Sequence, residues 1–118
     1  MSVESNGGKT TIAPEVLLTI ARLTALEVPG VSRMSPMAGG VNRLFQRGVG
    51  EGVRIDIRDN DVVYADLYLI MEKDVNIRDV SRKVQHKVAR AISEMVGLQV
   101  GRVNIHIEDI NYPQETEA

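Results

Sequence analysis

Between Val53 and Ile110 the apolar periodicity runs from two to about 3.6 and back to two, and no other property of the chain restricts its fold as much. Val53, Ile55 and Ile57 alternate with Arg54, Asp56 and Arg58, the pattern of a half-buried strand. Asp59-Asn60-Asp61 supplies residues that tolerate left-handed turn angles, so Val53 to Arg58 and Val62 to Met71 are expected to form a hairpin. A helix follows. Asn76 is placed to cap it, Asp79 to reach back to the cap, and Val75 with Val80 to act as a hydrophobic staple. Ile77, Val80, Val84, Val88, Ala91, Ile92 and Met95 then recur at three and four residues, and Gly97 suits the left-handed cap that ends the helix. From about Val100 to Ile110, Val103, Ile105 and Ile107 alternate with Arg102, Asn104, His106 and Glu108. Hairpin, helix and strand in that order make a β-α-β crossover, expected to be right-handed. The fold class is therefore α+β, a small mixed sheet with two main helices packed on one face.

The first of those helices is expected from Pro14 to Glu27. Pro14 suits its first position; Val16, Ile20 and Leu23 form one apolar row, with Leu17, Ala21 and Ala25 beside it. Only Glu15, Thr19 and Arg22 mark a solvent side, so the helix is either well buried or covered by a partner. Pro29 and Gly30 stop it, and a short strand is expected at Val31 to Met34. Ser35 to Gly52 holds five of the ten glycines and the one Phe, and reads as a long loop with one turn of helix around Asn42 to Gln46. The organisation is a flexible segment 1–11, a single domain 12–110 and a flexible acidic tail 111–118.

Composition removes several classes of chemistry. A chain of 118 residues is long enough for one core. With no Cys it has no disulfide, thiolate metal site, iron-sulfur cluster or cysteine nucleophile. Its 14 Lys plus Arg against 16 Asp plus Glu lack the bulk basic charge of many nucleic-acid binders. No secretory signal opens the chain, and the most apolar stretch, Val62 to Met71, is about half the ~20 residues of a spanning helix and is broken by Asp66. A cytoplasmic protein is expected.

Catalytic signals are thin. His86 lies on the polar side of the second helix, and His106 with Glu108 on one face of the last strand is a poor metal signature. Gly48, Gly50 and Gly52 precede a strand, whereas a dinucleotide fingerprint opens a helix. No catalytic residue, metal or cofactor is expected. Two surfaces stand out instead. The second helix carries Arg78, Arg82, Lys83, Lys87 and Arg90 against Asp79 and Glu94, a local excess of positive charge that is either a solvated face or an anionic-partner surface. In the loop, Arg43, Phe45 and Arg47 suit an anchor that orders on a partner. Tyr64 and Tyr68, about 13 Å apart on one sheet face, suit a protein interface or, less readily, base stacking.

Ala13-Pro14-Glu15-Val16, Glu27-Val28-Pro29-Gly30-Val31, the hairpin, Asn76-Ile77, Gly97-Leu98-Gln99-Val100 and Val103-Asn104-Ile105-His106-Ile107 occur in the order found in the alkaline shock protein family. The chain resembles this general-stress or envelope stress response family of Gram-positive and related bacteria from about Ile12 to Ile110. It departs from the pattern at Asp59-Asn60-Asp61, Glu72-Lys73-Asp74, Val96 and Asp109, mostly in turns. The resemblance implies a small, non-enzymatic cytoplasmic protein linked to envelope stress, with no catalytic residues to carry over. Some relatives self-assemble and reach the membrane only through a separate anchor protein, and others are associated with fatty-acid metabolism. The expected function is a self-associating or partner-docking scaffold, a homo-oligomer or a protein-binding adapter. The alternative is a nucleic-acid-binding module using the basic helix and the tyrosines.

Overall fold

A computed structural model of the chain describes residues 12–36, 49–50 and 52–112. The first helix, α1, spans Pro14–Leu26, with Glu27 as its C-cap. Its buried residues are Leu17, Ala21 and Ala25. The neighbouring row, which the sequence offers equally well, is turned outward: Val16 and Leu23 are exposed and Ile20 is only partly buried. Small alanines on the inner row let α1 lie close to its neighbours, and the bulkier row is left for the surface.

Among the described residues five strands form one mixed sheet: β1 (Val31–Met34), β2 (Val49–Gly50), β3 (Val53–Arg58), β4 (Val62–Glu72) and β5 (Gln99–Asn111). β4 is central. β5 runs parallel to it along its whole length, from Val62 opposite Gln99 to Glu72 opposite Asn111. The other edge of β4 is shared, β3 pairing antiparallel with Val62 to Leu67 and β1 with Leu69 to Met71. The two strands meet at Tyr68, whose carbonyl accepts from Ser35 N–H at 2.8 Å and whose N–H donates to Gly52 O at 2.8 Å. β2 lies within the stretch expected to be loop and adds two residues to the outer side of β3. The expected helical turn around Asn42 to Gln46 falls outside the described residues.

The hairpin between β3 and β4 turns through Asp59–Asp61, where Asn60 and Asp61 take left-handed φ values of 66° and 59°. Asp74, in the turn before the second helix, does the same at 65°. Asn and Asp tolerate this region better than other non-glycine residues, so these turns form without glycine.

The second helix, α2, spans Ile77–Val96. Asn76 Oδ1 accepts from Asp79 N–H at 3.1 Å, the half of the capping box that is made. At the other end Gly97 adopts φ 79° and donates its N–H to Ser93 O at 3.0 Å. Val80, Val84, Val88 and Ile92 form the buried stripe of α2. They meet Val63, Ala65, Leu67, Leu69 and Met71 of β4, with Val53 of β3 and Val103 of β5 beside them in the same core. Both helices therefore cover one face of the sheet. The opposite face carries the alternate residues of each strand.

β5 departs from simple alternation twice. Extra residues stand at Gly101 and Glu108, where the register against β4 shifts. At the first bulge the ring of Tyr64 lies over the strand: a Cβ on Gly101 would stand 2.7 Å from Tyr64 Cζ. Ile105 and Ile107 are only partly buried, because β5 is the sheet's edge.

Candidate functional site

Two surfaces gather the chemistry-bearing residues, one on the helices and one on the uncovered sheet face. Where α1 meets α2 there is a groove of about 610 Å³. Ile20 and Leu23 of α1 and Ala91 and Met95 of α2 give it an apolar floor, bordered by Glu27, Lys87, Arg90 and Glu94. Leu23 is 50% and Met95 70% exposed, well above what large apolar side chains of a core helix retain. The outward row of α1 is what creates this floor.

All five cations of α2, Arg78, Arg82, Lys83, Lys87 and Arg90, are exposed. The structure divides them: Lys87 and Arg90 line the groove, whereas Arg78, Arg82 and Lys83 do not. Arg90 Nε lies 2.9 Å from Glu94 Oε2 one turn on, and that hydrogen bond, reinforced by the carboxylate charge, raises the guanidinium pKa above its usual value. Among the described residues the other four form no ion pair. Arg43, Phe45 and Arg47 lie outside the described residues.

On the sheet face away from the helices, β4 and β5 place Asp66 beside Asn104 and Tyr68 beside His106. Asp66 Oδ1 accepts from Asn104 Nδ2 at 3.1 Å and lies 2.9 Å from His106 Nε2, which donates in the tautomer protonated there. The rings of Tyr68 and His106 stack, with centroids 4.4 Å apart and planes inclined by 11°. Further up the face the Arg58 guanidinium lies 3.9 Å from the centre of the Tyr64 ring and 2.8 Å from Asp56 Oδ2. Its pKa is raised first by the hydrogen bond to Asp56.

This cluster is absent from the sequence reading, which sets His106 with Glu108. The bulge between Ile107 and Asp109 takes Glu108 out of the regular register, and the carboxylate that reaches His106 comes from β4. His86 is exposed on α2, on the other side of the sheet from His106, so the two histidines do not converge. Among the described residues no group of three or more His, Cys, Asp or Glu side chains could hold a metal ion. Among them, too, no helix is long and apolar enough to cross a membrane. Asp66 serves two donors, so Asp66→Ala should lower stability by about 1–2 kcal/mol in urea denaturation, with Asn104→Ala costing less because His106 keeps its acceptor.

Residues 2–112 match the family model described as alkaline shock protein 23 family, cell envelope-related function. The chain belongs to the alkaline shock protein 23 family. Among members of known sequence, it is 34% identical over 112 residues to the uncharacterized protein YqhY of Bacillus subtilis (strain 168), covering 93% of this chain and 82% of that one. It is 30% identical over 105 residues to the uncharacterized protein Spy1535 of Streptococcus pyogenes serotype M6, covering 87% and 79%. Among solved structures, the MamM CTD in its copper form superposes with a TM-score of 0.51 at 13% identity, covering 87% of this chain and 92% of that domain. That likeness is one of fold. The family description ties this member to cell envelope-related function, as the ordered motifs of its sequence imply.

Proposed function

We propose that this family member is a non-enzymatic scaffold or adapter in the envelope stress response, which self-associates and docks a protein partner in the groove between α1 and α2. It acts in the cytoplasm and reaches the membrane only through an anchor protein. The observation that carries this reading is the apolar floor of Ile20, Leu23, Ala91 and Met95, held open on the surface with Lys87 and Arg90 beside it. An exposed apolar strip rimmed by charge is what a protein interface presents before it is covered. The free cations Arg78, Arg82 and Lys83 extend the same helix as a steering surface for an acidic partner. Arg43, Phe45 and Arg47 are proposed as a further anchor.

Leu23→Glu with Met95→Glu should abolish partner capture by the purified protein while the midpoint of thermal unfolding moves by only about 2–4 °C, since Leu23 is half and Met95 mostly exposed. Capture that survives this double substitution, or a wild-type protein that is monomeric at high concentration and retains nothing, would falsify the docking reading.

The nucleic-acid alternative requires the basic helix and the tyrosines to form one surface. α2 packs on the face of β4 opposite Tyr64 and Tyr68, and that separation favours a protein partner over this alternative. The expected outcome is no mobility shift with single-stranded RNA or DNA even at low salt. A shift that weakens steeply with salt would restore the alternative.

A further inference from the structure

We infer that a second copy of this chain pairs along the outer edge of β5, antiparallel and centred on Ile105, joining two five-stranded sheets into one. The inference rests on the self-association part of the reading above and assigns it a surface distinct from the helical groove. β5 is a strand of 13 residues that, among the described residues, pairs with β4 on one side only. Edges of that length are usually blunted with charge, proline, bulges or a covering element, and on β5 the bulges and charges stand at Gly101, Arg102, Glu108 and Asp109, outside the stretch Val103 to Ile107. β5 contains neither lysine nor proline. From α2, Gln85 reaches the strand, its Nε2 donating to the Val103 carbonyl at 2.9 Å.

The strand is self-complementary about Ile105. A two-fold axis there brings Arg102 to the end of the regular ladder beside the bulge residue Glu108 of the second copy, within reach of its side chain, and Glu108 beside that copy's Arg102. Arg102 and Glu108 are both exposed and form no ion pair among the described residues. The same register sets Val103 against Ile107 and Ile105 against itself on the helix side, and Asn104 against His106 on the open side. Apolar residues thus meet apolar ones, and each cation meets an anion at both ends. Between the bulges at Gly101 and Glu108 the strand is regular, so Val103 to Ile107 can pair without interruption. Ile105 and Ile107, partly exposed in the monomer, become interior positions of a longer sheet. The partner strand replaces the Gln85 bond to Val103 with a backbone N–H, so that the side-chain cover yields to the more extended ladder. The isologous contact leaves the groove of each copy free.

Sedimentation velocity at low salt tests this. Wild-type protein should dimerise, and Arg102→Glu, which sets like charges together at both ends, should weaken dimerisation about tenfold. Arg102→Glu combined with Glu108→Arg should restore it, since the pairs are rebuilt with opposite polarity. Circular dichroism should be unchanged throughout, because both side chains are exposed in the monomer. Dimerisation that ignores the single substitution, or that the double exchange fails to restore, overturns the edge pairing. Self-association lost in Leu23→Glu with Met95→Glu and kept in Arg102→Glu also overturns it while leaving the scaffold reading intact. A monomeric wild type overturns the edge pairing, and if that monomer still binds a partner through the groove, the docking reading stands without it.

Discussion

Leu67→Ala should lower the free energy of unfolding by about 3–4 kcal/mol, a large part of what holds a domain of this size together. Leu67 is fully buried on the central strand, with Val53 of β3 and Ile105 of β5 as its neighbours across the sheet. Truncation removes the transfer free energy of its terminal carbons and leaves a cavity that paired strands on both sides prevent from collapsing. Urea denaturation followed by circular dichroism should show the midpoint falling with little change in slope, the sign of a lost interaction rather than a changed unfolded state. Ile105→Ala, one strand outward in the same row, should cost about half as much at concentrations where the chain is monomeric, because that side chain is then partly in solvent and its surroundings can relax. Equal losses at the two positions would mean that β5 is as enclosed as β4 and that its outer edge is already covered.

That contrast between a central and an edge position is the part of the fold the sequence does not carry. Local signals are legible where one segment suffices. The alternation of Val53, Ile55 and Ile57, the cap at Asn76 and the left-handed stop at Gly97 each need only a few consecutive residues, and each is in place. The mixed sheet and the placement of both helices on one face follow from the order of elements. By contrast, the sharing of one β4 edge by β1 and β3 depends on a hand-over at Tyr68 between segments far apart in the chain. The polar cluster of the open face depends on the parallel register that brings His106 beside Tyr68 and leaves it within reach of Asp66. Read alone, Asp66 is an interruption in an apolar run. The register makes it the acceptor for two donors on the next strand. The bulges at Gly101 and Glu108 shift alternation by one residue each; a glycine inside a strand is a local signal for the first, and nothing in the pattern marks the second. On α1 two apolar rows lie side by side, and the sequence does not rank them. Packing chose the alanine-rich one, and the groove follows from that choice.

Gly30→Ala should destabilise the protein by about 2–4 kcal/mol, more than its position in a surface turn suggests. Two costs act together. Gly30 sits at φ 106°, which an L side chain rarely adopts, and a Cβ there would stand 2.7 Å from Cγ2 of the buried Val80. Its carbonyl also accepts from Glu72 N–H at 2.8 Å, so a shift of the turn to relieve the contact would pull on the end of β4. A double-mutant cycle separates the two costs. In a Val80→Ala background the steric cost disappears and the backbone strain stays, so the loss from Gly30→Ala should shrink by about 1–2 kcal/mol without vanishing. Additive losses would mean that the turn relaxes away from α2 and that strain alone is being measured. Gly30 lies between α1 and β1 and touches α2, so it fixes how closely the two helices approach. Groove-dependent capture should therefore weaken in Gly30→Ala at temperatures where the domain is still folded, and recover with Val80→Ala, since it is the spacing of α1 and α2, rather than any groove side chain, that this glycine sets.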